Sequence, residues 1–398
     1  MNLLFIHETE YVDKMIFEYQ IIPEILASKN HNVYVIDFPS HWKTEPIPFW
    51  DNLRSKVFPD ISRANKTKGV TLIRPGFIRI PGLSRISAFF LYFRLINQTI
   101  RQHKINAMIL LSAPTNGLQA LWAARRNKIP VFFRLLDVLH QLVPSKLLLL
   151  PAYWIEKLVY RKVDQLYATS PRLKNYAIHM GADPDKCHYL PSGADHDLFY
   201  YQPKDDELLG QLGLSRDNLV LLFAGTLYNF SGLDRIIEAF PRWLTAIPNL
   251  ILLIIGRGEQ EVRLKLRVKN LNLEQSVIFT GFINYSDLPK YINLSDICIN
   301  PFKINKTTNL IFPGKIYQYL ACEKPVIASK LEGMLDIFPC DDPTSHIFYY
   351  ETVEEFFHLV TSIKRDRFTD PNPSLYKIAS RLEQEINKAL NSNLGLRP

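Results

Sequence analysis

Phe312-Pro-Gly-Lys-Ile-Tyr-Gln-Tyr-Leu-Ala-Cys-Glu-Lys-Pro-Val-Ile-Ala-Ser329 carries the most informative pattern in the chain. It reads as a loop, a short helix opening near Pro313, and a buried strand over 325–328. Proline suits a first helical turn, where its missing N–H costs nothing, and Gly314 lets another group approach the backbone closely. Unpaired amides and the positive dipole end of such a helix favour an anion, and Lys315 adds a full charge there. Lys315 and Gln318 are three apart, so both can face one ligand. A plain helix–strand pair in any α/β protein reads the same way, so the rest of the chain must decide.

Working outward, short apolar runs alternate with helical patterns in both directions, as in parallel-sheet α/β proteins. Strands are expected at 3–6, 33–36, 107–111, 131–134, 165–168 and 188–190, with helices such as 14–28, 118–126 and 147–163 between them. The Pro-rich, basic stretch 39–81 reads as irregular. At 200–218 the composition turns polar, which marks the crossing between a first domain, 1–205, and a second, 206–372. The pattern then restarts with strands at 219–224, 250–255, 277–280 and 297–300. A final amphipathic helix at 375–390, within 373–398, is expected to reach back toward the first domain. The fold class is therefore α/β, with two Rossmann-like doubly wound domains facing a central cleft. Ligands bind such sheets at the C-terminal ends of the strands. Gly225 with Thr226, and Gly256 with Arg257 and Gly258, each stand between a strand and a helix and so mark a nucleotide or phosphate pocket.

Composition bounds the class. Of 398 residues, 47% are apolar and 22% charged, which is the balance of a folded globular chain. Four widely spaced cysteines with no CxxC pair suggest neither a disulfide scaffold nor a zinc site, so a reducing, cytoplasmic setting is expected. Asp341-Asp342 reads as a turn, not a metal site. The opening apolar run is too short for a signal peptide, and no run approaches the ~20 residues that span a bilayer. Residues 42–104 hold twelve Lys or Arg against three acids, while the whole chain carries only +8. That segment suits an anionic surface, such as the inner face of a membrane or a lipid-linked diphosphate. The helical pattern at 84–101 fits either a membrane-interface helix or an ordinary core helix. No nucleic-acid-binding module is recognised.

The second half resembles the C-terminal domain of glycosyltransferase family 4, of GT-B fold. The resemblance rests on Leu221-Leu-Phe-Ala-Gly-Thr-Leu, Leu233-Asp-Arg-Ile-Ile-Glu-Ala-Phe, Leu252-Leu-Ile-Ile-Gly-Arg-Gly-Glu and Val277-Ile-Phe-Thr-Gly-Phe-Ile. Asp287-Leu-Pro-Lys-Tyr-Ile-Asn-Leu-Ser-Asp-Ile and the stretch from Lys315 complete the series. More loosely, Leu190-Pro-Ser-Gly-Ala-Asp-His-Asp-Leu-Phe and Pro130-Val-Phe-Phe-Arg-Leu-Leu-Asp resemble segments of the family's first domain. The resemblance implies a retaining, hexosyltransferase-type enzyme that moves a sugar from a nucleotide diphosphate sugar to a glycan or lipid-linked acceptor. It implies no cofactor and no required metal. Pro313, Gly314 and Lys315 match positions whose backbone approaches the diphosphate, and Gln318 matches a Glu that holds the donor ribose. Asp137 or His140 would orient the acceptor hydroxyl or accept a proton. His7 and Glu8 follow the first strand, where a ligand loop or an ordinary turn would lie.

The chain also departs from the family. Leu310 stands where the first Glu of the Glu, seven residues, Glu motif belongs, and Gln318 replaces the second. Thr226 and Ser231 sit near the places of the customary Arg and Lys of the first loop, so Lys315 and Arg257 would neutralise phosphate instead. Two other readings therefore stay open: a non-catalytic partner that kept the fold, and a sugar-nucleotide epimerase of the same architecture.

Overall fold

Leu250–Ile255 is six consecutive apolar residues buried on both faces, an environment that the interior of a parallel sheet provides. A computed structural model describes residues 1–12, 16–38, 54–64, 67–76, 78, 83–143, 146–364, 366–370 and 372–392. These divide into two units, Met1–Pro191 with the C-terminal helix, and Ser192–Ser374.

The first unit opens with β1 (Asn2–Ile6), α1 (Glu18–Ser28), β2 (Asn32–Ile36), β3 (Lys56–Ile61) and β4 (Val70–Arg74). It continues through α2 (Leu83–Gln102), β5 (Ala107–Leu110), α3 (Gly117–Arg126) and β6 (Val131–Leu135). After α4 (Lys146–Tyr160) come β7 (Gln165–Ala168), α5 (Pro171–His179) and β8 (Cys187–Tyr189). The strands form one sheet in the order β3-β4-β2-β1-β5-β6-β7-β8. Every pairing is parallel except β3 with β4. The stretch read as irregular thus supplies two strands. Proline at 59 and a bulge after Phe58 are tolerated because β3 lies at the sheet edge.

In the second unit, α6 (Asp206–Gln211), β9 (Leu219–Ala224), α7 (Leu233–Ala246), β10 (Leu250–Ile255) and α8 (Glu261–Asn270) come first. Then follow β11 (Val277–Gly281), α9 (Leu288–Leu294), β12 (Ile297–Asn300), α10 (Lys315–Ala321) and β13 (Val326–Ser329). The unit closes with α11 (Glu332–Leu335), β14 (Ile347–Tyr350) and α12 (Val353–Ser362). The sheet is parallel throughout, ordered β11-β10-β9-β12-β13-β14. Strand β14 and helix α12 were not anticipated. They complete the core, where Trp243 of α7 stacks on Phe356 with ring centroids 5.3 Å apart.

The boundary falls at Pro191/Ser192, earlier than the expected 205/206. Residues 192–204 are tied to the second unit, with Ala194, Asp195 and Phe199 buried. The Phe199 ring meets Tyr285 at 5.2 Å, Asn293 exchanges hydrogen bonds with Gln202 and Tyr200, and Lys204 pairs with Asp296 at 2.8 Å. The last helix, α13 (Leu375–Asn391), packs on α1 in the first unit. There Glu383 accepts from Lys29 Nζ at 2.6 Å and meets His31 Nε2 at 2.7 Å.

Candidate functional site

In the second unit the strand order reverses between β9 and β12, and such a switch point opens a crevice beyond the strand ends. Phe223 and Gly225 lie at the end of β9, and Phe302 lies just past β12. Helix α10 is pinned there by Tyr319, whose hydroxyl accepts from the Ala224 amide at 2.8 Å. One turn earlier, Lys315 turns its ammonium inward, 3.6 Å from the Phe223 ring centre and 4.5 Å from that of Phe302. A Cβ built on Gly225, whose φ is +152°, would stand 3.6 Å from that nitrogen. The Lys315 Nζ is buried and has no hydrogen-bond partner among the described residues. Burial pushes its pKa well below the ordinary 10.5.

The other expected donor residues surround this point unevenly. Gly314 is the residue before α10, and a side chain there would meet nothing within 4 Å. Pro313 precedes that cap and does not occupy the first turn. Its carbonyl accepts from Ile316 in a tight turn, which starts the helix two residues later than expected. Gln318 is half-buried in the same helix. Gly256, at φ +126°, lets the loop after β10 touch the loop after β9, since a Cβ on it would fall 2.1 Å from the Gly225 carbonyl oxygen. Thr226 is half-buried in the β9 loop, and Arg257 is exposed with its guanidinium over Gly281 at the end of β11. Leu310 ends a 3-10 turn, Thr308–Leu310, which Asn309 braces by exchanging hydrogen bonds with Glu332. Lys303 is occupied by Asp234 at 2.7 Å.

In the first unit the switch point lies between β1 and β5. Glu8 follows β1 and accepts hydrogen bonds from Ser112 at 3.3 Å and from Thr115. The His7 ring is fully buried beside Phe5, Tyr11 and Tyr19, with both nitrogens unpaired among the described residues. Burial pushes its pKa down to about 3, so it is a neutral imidazole. Asp137 follows β6, and burial pushes its carboxyl up to about 7.

His140 sits in the 3-10 turn Leu139–Leu142. Its Nδ1 lies 2.8 Å from the Glu156 carboxylate, which also accepts from the His140 amide at 2.8 Å. Tyr160 and Tyr176 donate to the other Glu156 oxygen at 2.6 and 3.1 Å. A proton held on Nδ1 by this carboxylate leaves Nε2 with a free lone pair. Sequence reading missed Glu156, although it is the one acid in a largely apolar α4.

Among the described residues no group of three or more His, Cys, Asp or Glu is placed to hold a metal ion. The Asp342 carboxylate instead caps its own turn by accepting from Thr344 at 2.9 Å.

The profile described as "Glycosyl transferases group 1" matches residues 204–380, and that of a "Glycosyl transferase 4-like domain" matches 59–193. A putative teichuronic acid biosynthesis glycosyltransferase of Bacillus subtilis is 27% identical over 203 residues, 49% of this chain and 46% of that protein. A GDP-mannose-dependent monoacylated alpha-(1-6)-phosphatidylinositol monomannoside mannosyltransferase of Corynebacterium glutamicum is 30% identical over 178 residues, 43% of this chain and 46% of that protein. The chain thus spans about half the length of the curated relatives it matches. Anabaena HepE, solved in complex with UDP-glucose, superposes with a TM-score of 0.69 at 18% identity, covering 98% of this chain and 100% of that one.

Proposed function

We propose, from the premise that this chain belongs to the family-4-like glycosyltransferases of GT-B fold, that it transfers a sugar from a nucleotide diphosphate sugar to a glycan or lipid-linked acceptor. The transfer proceeds with retention at the anomeric carbon, without a metal, at the cytoplasmic side of a membrane in surface polysaccharide or glycolipid synthesis. The relatives whose names carry teichuronic acid synthesis and phosphatidylinositol mannoside transfer support that acceptor class.

The observation that carries the reading is Lys315. A buried, unpartnered ammonium at a strand-order reversal is an expensive arrangement unless an anion completes it. A diphosphate leaving group supplies that anion, and in a site shielded from water the charge stabilises the departing oxygen more strongly than at a surface. Gly225 and Gly314 allow close backbone approach, Arg257 offers a second cation, and Gln318 a hydrogen bond to the ribose. In the first unit, Asp137 and the Glu156-oriented His140 would position the acceptor hydroxyl and take its proton.

The test is calorimetric titration with UDP, GDP and ADP, followed by transfer assays in which the product anomer is read by NMR. One nucleotide is expected to bind, and free nucleotide diphosphate to appear only with acceptor present. Inversion at the anomeric carbon would overturn the retaining mechanism. Interconversion of nucleotide sugars without acceptor would identify an epimerase. Leu310 and Gln318, in place of two carboxylates, favour one second reading, a non-catalytic partner. Failure of every nucleotide to bind at millimolar concentration would favour it.

A further inference from the structure

Large apolar side chains stand exposed together on one face of the first unit. On α4, Leu147 is 88% exposed, Leu150 66% and Trp154 57%, and Leu158 continues the same stripe at helical spacing. The opposite face of α4 buries Ala152, Glu156 and Val159. Helix α3 packs between α2 and α4. It adds exposed Trp122, which meets Phe89 of α2 with ring centroids 5.8 Å apart, and α2 adds exposed Phe90. An exposed arginine follows about one turn after each apolar group: Arg94 after Phe90 in α2, Arg126 after Trp122 in α3, and Arg161, the residue just past α4, after Leu158.

Charge selects the occupant. Residues 83–162 hold twelve Lys or Arg against two acids. Arg134 among the cations is buried with Glu18, Glu156 is buried and Asp137 half-buried, so among the described residues of α2, α3 and α4 no carboxylate is exposed. A second copy of the chain would bring two such cationic faces together, which like-charge repulsion opposes. An apolar band with tryptophan at its margin and a basic band behind it matches a bilayer interface. Among the described residues no helix is long and apolar enough to cross a membrane.

We propose that the outward face of α2, α3 and α4 docks the protein on an anionic lipid bilayer. Leu147, Leu150, Trp154 and Leu158 enter the boundary between headgroups and acyl chains, while Arg94, Arg126 and Arg161 meet lipid phosphates. The surface shares α2 with the basic stretch 42–104, of which residues 42–53, 65–66, 77 and 79–82 lie outside the described residues, and adds α3 and α4 beyond it. It deepens the glycosyltransferase reading and rests on it only for its purpose. Each of these helices leads into the next parallel strand, so its N-terminal half lies toward the edge that carries Asp137 and His140. Helix α4 then has two roles: one face enters lipid, and the other holds the carboxylate that orients His140.

Flotation of the full chain with vesicles of phosphatidylcholine alone, or mixed with phosphatidylglycerol, tests the proposal. Binding is expected only to the mixed vesicles and is expected to weaken with salt. The double variant L150S/W154S should lower vesicle partitioning by roughly tenfold or more, because each buried apolar group contributes on that scale. R126E/R161E should abolish the preference for phosphatidylglycerol. Quenching of tryptophan fluorescence by brominated lipid should occur in the parent and shrink in W154F. Melting temperature and nucleotide binding, measured on the same preparations, separate this surface from the donor site. Three results would overturn it: no vesicle binding, vesicle binding unchanged in L150S/W154S, or concentration-dependent self-association in ultracentrifugation that L150S/W154S abolishes.

Discussion

Replacing Lys315 with methionine should make the protein more stable and a poorer binder of nucleotide diphosphates. The native ammonium has no hydrogen-bond partner among the described residues, and burial of an ion costs several kcal/mol after relaxation. The Phe223 and Phe302 rings, at 3.6 and 4.5 Å, return about 0.5–2 kcal/mol each. A deficit of about 2 kcal/mol remains, which methionine, of similar length and no charge, removes. For a unit of this size that is a rise of roughly 4–8 °C in melting temperature. The pH dependence carries the sign. With its native pKa well below 10.5, Lys315 releases its proton in the folded state before the unfolded state does. Stability of the parent should therefore climb with pH between the depressed native value and 10.5, and Lys315→Met should lack that slope. Scanning calorimetry at several pH values, with and without UDP, measures both effects. Nucleotide affinity should fall roughly 10- to 150-fold, the scale of one charge-assisted contact. A melting temperature that drops or stays level would show that the ammonium is satisfied in solution. Unchanged nucleotide affinity would remove Lys315 from the donor site.

Asp137→Asn should abolish an inflection near pH 7 in the pH–rate profile, since burial raises the Asp137 carboxyl to about 7. Because that pKa is raised, Asp137 contributes stability that fades as pH climbs from 3.8 through about 7, and the difference between thermal melts of parent and variant should show that contribution missing from the variant. Glu156→Gln keeps the volume but weakens the hold on His140 Nδ1, so kcat should fall roughly 10- to 100-fold with little change in donor KM. A variant whose KM rises while kcat holds would contradict a positioning role. Arg134→Met removes the buried ion pair with Glu18 and frees the Leu190 and Pro191 carbonyls that Arg134 binds at 2.5 and 2.9 Å. Urea denaturation should show about 3–5 kcal/mol of lost stability, and a loss below 1 kcal/mol would mean that Glu18 finds another partner.

The central strands were legible because burial on both faces demands unbroken apolar runs, as in Leu219–Ala224 and Leu250–Ile255. Strand β3 was not, because its outer edge faces solvent and its residues, Lys56 to Ile61, show no alternation. Strand β14 is only Ile-Phe-Tyr-Tyr and follows a polar turn, so its place depends on pairing with β13 more than on its own sequence. The position of Lys315 at a helix start was readable, but its direction was not. What turns the ammonium inward is a pair of rings from Phe223 and Phe302 that meet it only after β9 and β12 are adjacent.

Helix α4 shows the same limit more sharply. Its sequence, Lys-Leu-Leu-Leu-Leu-Pro-Ala-Tyr-Trp-Ile-Glu-Lys-Leu-Val-Tyr, shows a helix but not which side faces the sheet. The packing decides that. The carboxylate is inside because His140, Tyr160 and Tyr176 each offer it a hydrogen-bond partner. Leu147, Leu150 and Trp154 are outside, where water gives them nothing, and an interior already filled by Val159 and Tyr160 has no room for them. A helix that buries its acid and exposes its leucines is arranged for a second, non-aqueous contact on its outer side. The proposed vesicle binding by α4 would follow from the same helix orientation that places Glu156 inside.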